Sequence, residues 1–398
     1  MELAPDRHPR RWFNLAIIYL LMLSFAITIQ SLPPVLSLVI SSESLSHTQA
    51  GLLMSLFALS GVVVSIPVGV IADRYGQKKI GAVGVLLILI GVAIFASGRS
   101  FSILALGRVT SGVGALTLMV LAARVLPQWF VGPERGTAFG IFNTAMPLGL
   151  IISFNALPFI AERFTWQTGI GAAGLVPLVT LLVFALAFTP AATPGPASQQ
   201  EGFRVAFTQS GISIWILGLT WMCFYSAMLG FFTFTPDLLK SAGFSLTRAG
   251  LVGSMVMWPA LLISPVVGYL TGRFGHREIS IAIGGIATGL LILFLPQTTR
   301  FAAGMILLIG ITQSLVPPPV YALASEVLPA HRHGLGFGIM SICATAGIML
   351  GPFLAGLARD ATGSYSASYA VMAGFGILTA VAITVLWLIR GRQHSKPS

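Results

Sequence analysis

Charged residues are scarce in this chain of 398 residues. They make up 8% of the sequence, whereas soluble domains carry about 25%. Hydrophobic residues make up 56%, and the mean hydropathy is +0.91. Apolar runs of about 20 residues, the length that a helix needs to cross a bilayer, recur along the chain. This composition excludes an ordinary soluble protein and predicts a membrane protein of α-helices, since a β-barrel would show shorter, alternating segments.

Several kinds of chemistry lack the residues that they need. The chain has two cysteines, Cys223 and Cys343, and each falls within a predicted span, so neither a disulfide framework nor a metal site is predicted. The sequence has no glycine-rich phosphate loop, which argues against ATP hydrolysis. A membrane-embedded hydrolase would need His, Asp or Ser residues at one depth, and a signalling receptor would carry an appended soluble domain. We find neither feature, and we expect a protein that is not an enzyme and uses no cofactor.

Twelve apolar segments are predicted to span the membrane. The first follows three arginines, as in a signal peptide, but its apolar run is longer than a signal core and no small-residue cleavage site closes it. Pro33-Pro34 in the first span and Pro317-Pro318-Pro319 in the tenth are predicted to break the helix, because proline lacks a backbone donor. The spans are Phe13 to Leu38, Gln49 to Ala72, Ile80 to Ser97, Phe101 to Leu126, Gly136 to Ile160, Trp166 to Phe188, Gly211 to Thr235, Arg248 to Thr271, Ile279 to Pro296, Phe301 to Val327, Gly334 to Leu357 and Ser366 to Ile389.

The distribution of basic residues predicts the orientation, since Lys and Arg are retained on the cytoplasmic side. With both termini inside, the inner segments hold fifteen basic residues and the outer segments hold six, while Arg108 lies within a span. The net charge of +11 then has a topological explanation. The basic residues are scattered over loops and form no nucleic-acid patch. We therefore expect a multi-pass protein of the inner (plasma) membrane with cytoplasmic termini and no nucleic-acid partner.

A charged, glycine-containing turn occurs twice, each time between two long apolar runs. Other short matches keep the same order, for example Phe139-Gly140-Ile141 and Phe337-Gly338-Ile339, which indicates two halves that repeat in parallel. The longest break between apolar spans, Thr189 to Ser210, is rich in Pro, Ala, Gly, Ser and Gln, as in a flexible linker. The predicted domains are an N-terminal six-helix bundle in residues 1–188, a cytoplasmic linker in 189–210 and a C-terminal six-helix bundle in 211–398.

The first turn is similar to a known transporter signature, G-x-L-A-D-R-x-G-R-K. The chain matches it at Gly69, Asp73, Arg74, Gly76 and Lys78, with Gln77 in place of a basic residue. On this turn, and on Arg108-Val-Thr-Ser-Gly112-Val-Gly114 in the fourth span, the chain resembles the major facilitator superfamily over essentially its whole length. The resemblance implies an all-α membrane protein of the bacterial type, with twelve helices in two pseudo-symmetric six-helix bundles around a central cavity. The antiporters' glycine-proline motif has a likeness in the eleventh span but not in the fifth, so antiport is not implied.

We predict that the turn acts in conformational gating. Gly69 and Gly76 permit close backbone approach and a tight turn. Asp73 at the end of a helix can meet the positive N-terminus of a neighbouring helix or a nearby cation, whereas the lysines have the simpler explanation that they solvate the loop and set topology. The predicted gating residues are Gly69, Asp73, Arg74, Gly76, Lys78, Gly268, Arg273 and Gly275.

In the family that the chain resembles, the first, fourth, seventh and tenth helices line the cavity. Their aromatic and amide groups are suited to orienting a small polar or aromatic solute. The alternative explanation is that Trp and Tyr form an interfacial belt and that Ser bonds to its own helix backbone. For Arg108 the alternative is a structural role, in which it braces the fourth helix through backbone carbonyls. The candidate substrate-binding residues are Arg108, Tyr19, Gln30, Ser111, Trp221, Tyr225, Gln313 and Tyr321.

Ionisable residues within the spans are nearly absent. No Asp, Glu or His lies securely at membrane depth, and Asp237 falls at a span end, so Arg108 is the charge placed clearly inside. Together with the resemblance, this pattern predicts a secondary or facilitative transporter that moves a small organic or inorganic anion by alternating access. We expect it to act as a monomer. Uniport, exchange and symport with a co-transported proton remain open. The alternative is an efflux antiporter for drugs or amphiphiles, which the missing carboxylate disfavours.

Overall fold

The computed structural model describes residues 10–130, 134–189, 211–327 and 333–394, without the side chains of 62–67, 69, 70, 73, 333–335 and 391–394. These residues form helices and no strand. In the N-terminal half the helices are α1 (Arg11–Ile29), α2 (Leu36–Glu43), α3 (His47–Tyr75), α4 (Gln77–Ser97), α5 (Phe101–Trp129), α6 (Glu134–Asn143), α7 (Ala145–Arg163), α8 (Trp166–Ala172) and α9 (Leu175–Ala187). In the C-terminal half they are α10 (Ile212–Ser241), α11 (Leu246–Ser254), α12 (Met257–Phe274), α13 (Arg277–Phe294), α14 (Ala302–Gln313), α15 (Pro317–Val327), α16 (His333–Thr362) and α17 (Tyr365–His394).

The predicted all-α membrane fold is confirmed. Eleven segments of the described chain are long and apolar enough to cross a membrane, and the remaining predicted span corresponds to α3. The seventh span is longer than predicted, because α10 continues to Ser241 instead of ending at Thr235. Asp237 therefore lies inside a helix, where it is 6% exposed, and not beyond the helix end.

Prolines explain the breaks within spans. The two predicted breaks are confirmed: a 3₁₀ turn at Pro33–Val35 separates α1 from α2, and α15 begins at Pro317. Three further breaks, between α6 and α7, α8 and α9, and α11 and α12, were not predicted. In each case the third residue of the second helix is a proline: Pro147, Pro177 or Pro259. Since proline has no N–H, the carbonyl four residues earlier loses its helical donor, and the helix ends there.

The described helices cluster into two compact units. Unit 1 comprises Met1–Leu45, Leu56–Ala197 and Ser245–Leu251, and unit 2 comprises Ser46–Ser55, Ser198–Phe244 and Val252–Ser398. Each unit thus includes one short segment from the opposite half of the sequence. The predicted linker lies, apart from Thr189, outside the described residues, and the domain boundaries on either side of it stay a prediction.

Helices α4 and α5 of unit 1 pack closely through small residues. A Cβ added to Gly91 would lie 2.3 Å from the Ser111 backbone nitrogen, and one added to Gly114 would lie 2.4 Å from the Gly84 carbonyl oxygen. Real side chains do not fit at such distances, so these glycines allow the two backbones to touch. This contact fixes the position of α5, and with it Arg108.

Candidate functional site

Arg108 lies on α5 and is 2% exposed. Its Nη1 donates to the carbonyl oxygen of Thr28 at 3.1 Å and its Nη2 to that of Ile29 at 3.3 Å. The guanidinium carbon lies 4.6 Å from the centre of the Phe57 ring, a cation–π contact. Through these two carbonyls Arg108 fastens α5 to the C-terminal end of α1.

The other candidates of unit 1 differ in what they can offer a solute. Gln30 is 2% exposed, and its Oε1 has no hydrogen-bond partner within the described part of the chain. Tyr19 shares a hydrogen bond of 3.2 Å with the Thr144 hydroxyl. Ser111 donates to the Arg108 carbonyl of its own helix at 3.2 Å. This is the hydrogen bond to its own helix backbone that was the alternative to substrate binding. Gln30 is therefore the better acceptor for a solute.

In unit 2, aromatic rings of two helices form one cluster. Trp221 and Phe224 of α10 stack with ring centres 5.4 Å apart. Tyr225 lies edge-on to Trp221 at 4.8 Å, and Tyr321 of α15 does so at 5.2 Å. Tyr321 is 48% exposed. These residues form the aromatic wall of unit 2, an amphipathic surface with two phenolic hydroxyls.

The remaining solute candidate is Gln313, the last residue of α14. It is 5% exposed and also belongs to unit 2. Trp221, Tyr225 and Tyr321 are in contact with one another, whereas Gln313 lies on a different helix, α14. The predicted set therefore includes one cluster and several separate residues.

The repeated turn has the predicted tight geometry in both copies. Gly76 and Gly275 have φ angles of 88° and 73°, which favour glycine. A Cβ at either position would meet no atom within 4 Å, so the backbone conformation and not space requires glycine here. Gly69 lies within α3 and Gly268 within α12.

The polar residues of the turn have local contacts. The Arg74 guanidinium lies 5.5 Å from the centre of the Tyr75 ring, and Arg273 donates to the Tyr269 hydroxyl at 3.0 Å. Gln77, which replaces a basic residue of the signature, donates to Gln128 of α5 at 3.1 Å. This bond holds the start of α4 to α5. Lys78 lies in the first turn of α4. Asp73 belongs to the last turn of α3, and its side chain is outside the described set.

The sequence analysis missed a carboxylate that caps α3. Asp360 of α16 accepts from the N–H of His47 at 3.0 Å and from the N–H of Thr48 at 2.7 Å. The Thr48 hydroxyl donates to it at 2.6 Å. The first N–H groups of a helix have no partner within the helix, and a negative charge there is stabilised by the helix dipole. Asp360 supplies this cap from another helix of unit 2.

Unit 1 contains the corresponding cap on α11. Glu162 of α7 accepts from the N–H of Leu246 at 2.7 Å and from the N–H of Thr247 at 3.3 Å. The Thr247 hydroxyl also donates to it in a short hydrogen bond. In each unit, therefore, a carboxylate near the end of one helix satisfies the first two N–H groups of a second.

A sequence signal for these paired caps exists. Ser46-His47-Thr48-Gln49-Ala50-Gly51-Leu52 and Ser245-Leu246-Thr247-Arg248-Ala249-Gly250-Leu251 share five of seven residues. The two segments are separated by the same number of residues along the sequence as Gly69 and Gly268. A Cβ on Gly51 would lie 2.3 Å from the Pro352 carbonyl oxygen, and one on Gly250 would lie 2.0 Å from that of Phe154. The repeated A-G pair is therefore the point at which each capped helix touches its neighbour.

His47 connects the cap of α3 to Asp237. Its Nδ1 lies 3.1 Å from Asp360 Oδ1, and its Nε2 lies 3.4 Å from Asp237 Oδ2. Tyr365 of α17 donates to Asp237 Oδ2 at 2.6 Å. The bond to Asp237 raises the pKa of His47 above its usual value, more than burial lowers it. Within the described residues, no group of three His, Cys, Asp or Glu is placed to hold a metal ion.

Comparison with known proteins identifies the family. The family model described as Major Facilitator Superfamily matches residues 18–249 and 230–398. The chain belongs to the Major Facilitator Superfamily. Among its relatives, the lysosomal dipeptide transporter MFSD1 of Danio rerio is 23% identical over 82% of this chain and 76% of its own. Protein TsgA of Salmonella typhimurium is 23% identical over 90% of this chain and 88% of its own.

Solved structures of this superfamily share the fold. The nucleoside transporter NupG matches with a TM-score of 0.77 and 14% identity, covering 96% of this chain and 99% of that one. A bacterial homologue of the human lysosomal transporter Spinster matches with a TM-score of 0.78 and 18% identity, covering 96% and 97%. As a superfamily member, the protein is an integral membrane transporter of small molecules and not an enzyme.

Proposed function

We propose that the protein is a secondary transporter that moves a small organic anion across the inner membrane by alternating access. The observation that carries the proposal is the buried positive charge of Arg108 on α5. Burying a charge within a span costs a few kcal/mol on insertion scales, so such residues usually serve the transported solute or ion. The carbonyls of Thr28 and Ile29 orient the guanidinium at this depth.

The aromatic wall of unit 2 supports an organic solute over an inorganic one. Tyr321 is 48% exposed and packs on buried Trp221 beside Tyr225. The wall therefore presents an apolar ring with a hydroxyl group, and rings of this kind bind apolar parts of ligands. The same wall favours a second candidate function, export of an amphiphilic drug. The two candidate functions differ in the charge of the transported solute. An anion carrier depends on Arg108, whereas a carrier of neutral or cationic amphiphiles does not.

The test is uptake by the purified protein in proteoliposomes. The solute panel should contain dicarboxylates, aromatic carboxylates, dipeptides, nucleosides and a cationic dye. Dipeptides belong in it because one relative is named as a dipeptide transporter, and a dipeptide combines a carboxylate with apolar side chains. We expect uptake of carboxylate-bearing solutes. We also propose that both termini are cytoplasmic and that the transporting unit is a monomer. Transport of only the cationic dye would favour the drug exporter.

Variants of Arg108 separate binding from structural support. Arg108→Gln should lower the ratio of anion to neutral-solute uptake about tenfold, the effect of roughly 1.4 kcal/mol. Arg108→Lys should keep part of the anion uptake, because it retains the charge but not the planar guanidinium. Arg99→Gln, at an exposed arginine just before α5, is the matched control. If both Arg108 variants lower the melting temperature alike and leave selectivity unchanged, Arg108 only fastens α5 to α1 and the anion proposal fails.

A further inference from the structure

The imidazole of His47 lies between two carboxylates that belong to different helices. Nδ1 faces Asp360 of α16 at 3.1 Å, and Nε2 faces Asp237 of α10 at 3.4 Å. A carboxylate can only accept hydrogen bonds, and a neutral imidazole carries a proton on one nitrogen. The protonated ring carries one on each nitrogen. Both carboxylates are therefore satisfied by His47 only when it holds the additional proton.

Each carboxylate is also held in place by groups other than the imidazole. Asp360 accepts from the backbone N–H groups of His47 and Thr48, and Asp237 accepts from the Tyr365 hydroxyl at 2.6 Å. These donors do not titrate between pH 5 and 9 in the way that histidine does. When His47 loses its proton, the two carboxylates stay in position. One ring nitrogen then presents a lone pair to a negative charge.

The charged and titratable groups around His47 come from α10, α16 and α17. Asp237 of α10 and Asp360 of α16 favour the imidazolium, whereas Arg359 of α16 and burial oppose it. Arg359 lies over the ring of Tyr365 with its guanidinium carbon 4.3 Å from the ring centre. The hydrogen bond to Asp237 is the largest influence, and the net effect is a raised pKa for His47.

We propose that His47, between Asp237 and Asp360, is a proton-binding site, and that the bound proton fastens the start of α3 to α10 and α16. If solute transport is proton-coupled, this is where the coupled proton binds, an extension that rests on the function proposed above. On the predicted topology the site lies at the outer side of the membrane, where it exchanges protons with the external medium.

The sign of the pH effect follows from the raised pKa. A raised pKa in the folded protein means that the contact contributes its full stability below the unfolded pKa of about 6.5. That contribution is lost as the pH rises through the folded pKa. Acid therefore fastens the start of α3, and alkali releases it.

The first experiment measures melting temperature from about pH 5 to pH 9, a window that brackets the histidine pKa, on the purified full-length protein. We expect His47→Gln to melt below the wild type at low pH and to approach it at high pH. The difference in melting temperature between His47→Lys and His47→Gln should not change with pH, because the lysine stays protonated over this window. Glu162→Gln is the matched control: it weakens the cap of α11, which has no histidine, so its offset from the wild type should not vary with pH. Parallel melting profiles of wild type and His47→Gln would overturn the proposal.

The second experiment tests coupling with proteoliposomes that contain the pH dye pyranine. For a solute of the panel that the wild type transports, we expect proton flux that accompanies solute uptake and that falls at least tenfold in His47→Gln, while downhill exchange of the solute continues. Solute uptake without proton flux in the wild type would overturn the coupling and leave the proposed function standing. The melting experiment needs no solute, so its outcome is independent of whether the anion proposal holds.

Discussion

Replacing Asp360 by alanine should weaken the attachment of α3 to α16. The carboxylate accepts from the N–H of His47 and from the N–H and hydroxyl of Thr48, at distances of 2.6 to 3.0 Å. Alanine removes these three contacts together with the 3.1 Å contact to the His47 imidazole, and it leaves the first two N–H groups of α3 to water. Asp360→Asn keeps one acceptor oxygen, replaces the other by an NH2 donor and removes the charge. It should therefore cost less than Asp360→Ala, which removes both acceptor oxygens.

The expected cost can be worked out from these contacts. Loss of a side-chain cap costs about 0.5–2 kcal/mol, and loss of a negative charge beside a helix N-terminus adds about 0.3–1 kcal/mol. The side chain of Asp360 is 28% exposed, so water screens part of the electrostatic term. We expect a loss of about 2 kcal/mol for Asp360→Ala and about 1 kcal/mol for Asp360→Asn.

Unfolding by SDS titration in mixed micelles measures this free energy. Glu162→Ala provides the matched comparison, since it removes the equivalent acceptor from the donors at the start of α11. Its cost should approach that of Asp360→Ala at high pH, where His47 has lost its proton and adds least to the cap of α3. A change below about 0.5 kcal/mol in both alanine variants is within the range of neutral surface substitutions. That result would refute the idea that these carboxylates stabilise the helix contacts.

Two predictions concern topology and the repeated turn. Reporter fusions after Gly202 and after Ser398 should report cytoplasmic locations, because the predicted inner segments hold fifteen basic residues and the outer segments six. Activity at these two sites of a reporter that works only in the periplasm would contradict the predicted orientation. Asp73→Asn should leave expression nearly intact and reduce transport, because it removes a charge from the end of a helix in the gating turn. Cysteine labelling on the two membrane faces should shift in opposite directions, and unchanged labelling with wild-type transport would mean that Asp73 only solvates the loop.

The fold could be predicted from the sequence because the bilayer imposes strict rules on length and polarity. Each predicted span corresponds to helical structure, and the breaks at Pro33 and Pro317 were expected from the missing proline donor. The breaks before Pro147, Pro177 and Pro259 follow the same rule but were missed. Single prolines are ambiguous, since Pro236 and Pro352 lie inside continuous helices. Packing of neighbouring helices decides which prolines end a helix.

The candidate site could be predicted only in part. Trp221 and Tyr225 were identified because residues four apart share a helix face, and Tyr321 joins them by tertiary contact. The contacts of Arg108 with the carbonyls of Thr28 and Ile29 were not predictable, since the identity of a neighbouring helix does not reveal which of its carbonyls are exposed. Asp237 was misplaced because its helix continues past the apolar run that defined the span.

The two capped helices show how a duplicated sequence acquired different chemistry in its two copies. Both begin with the pattern S-x-T-x-A-G-L, and both are capped by a carboxylate of another helix. The position held by His47 in α3 is held by Leu246 in α11. A proton can therefore strengthen the first cap but has no titratable ring to act on at the second. If each cap contributes similar stability, acid should favour attachment of α3 relative to α11, and His47→Leu should make the two caps respond to pH alike.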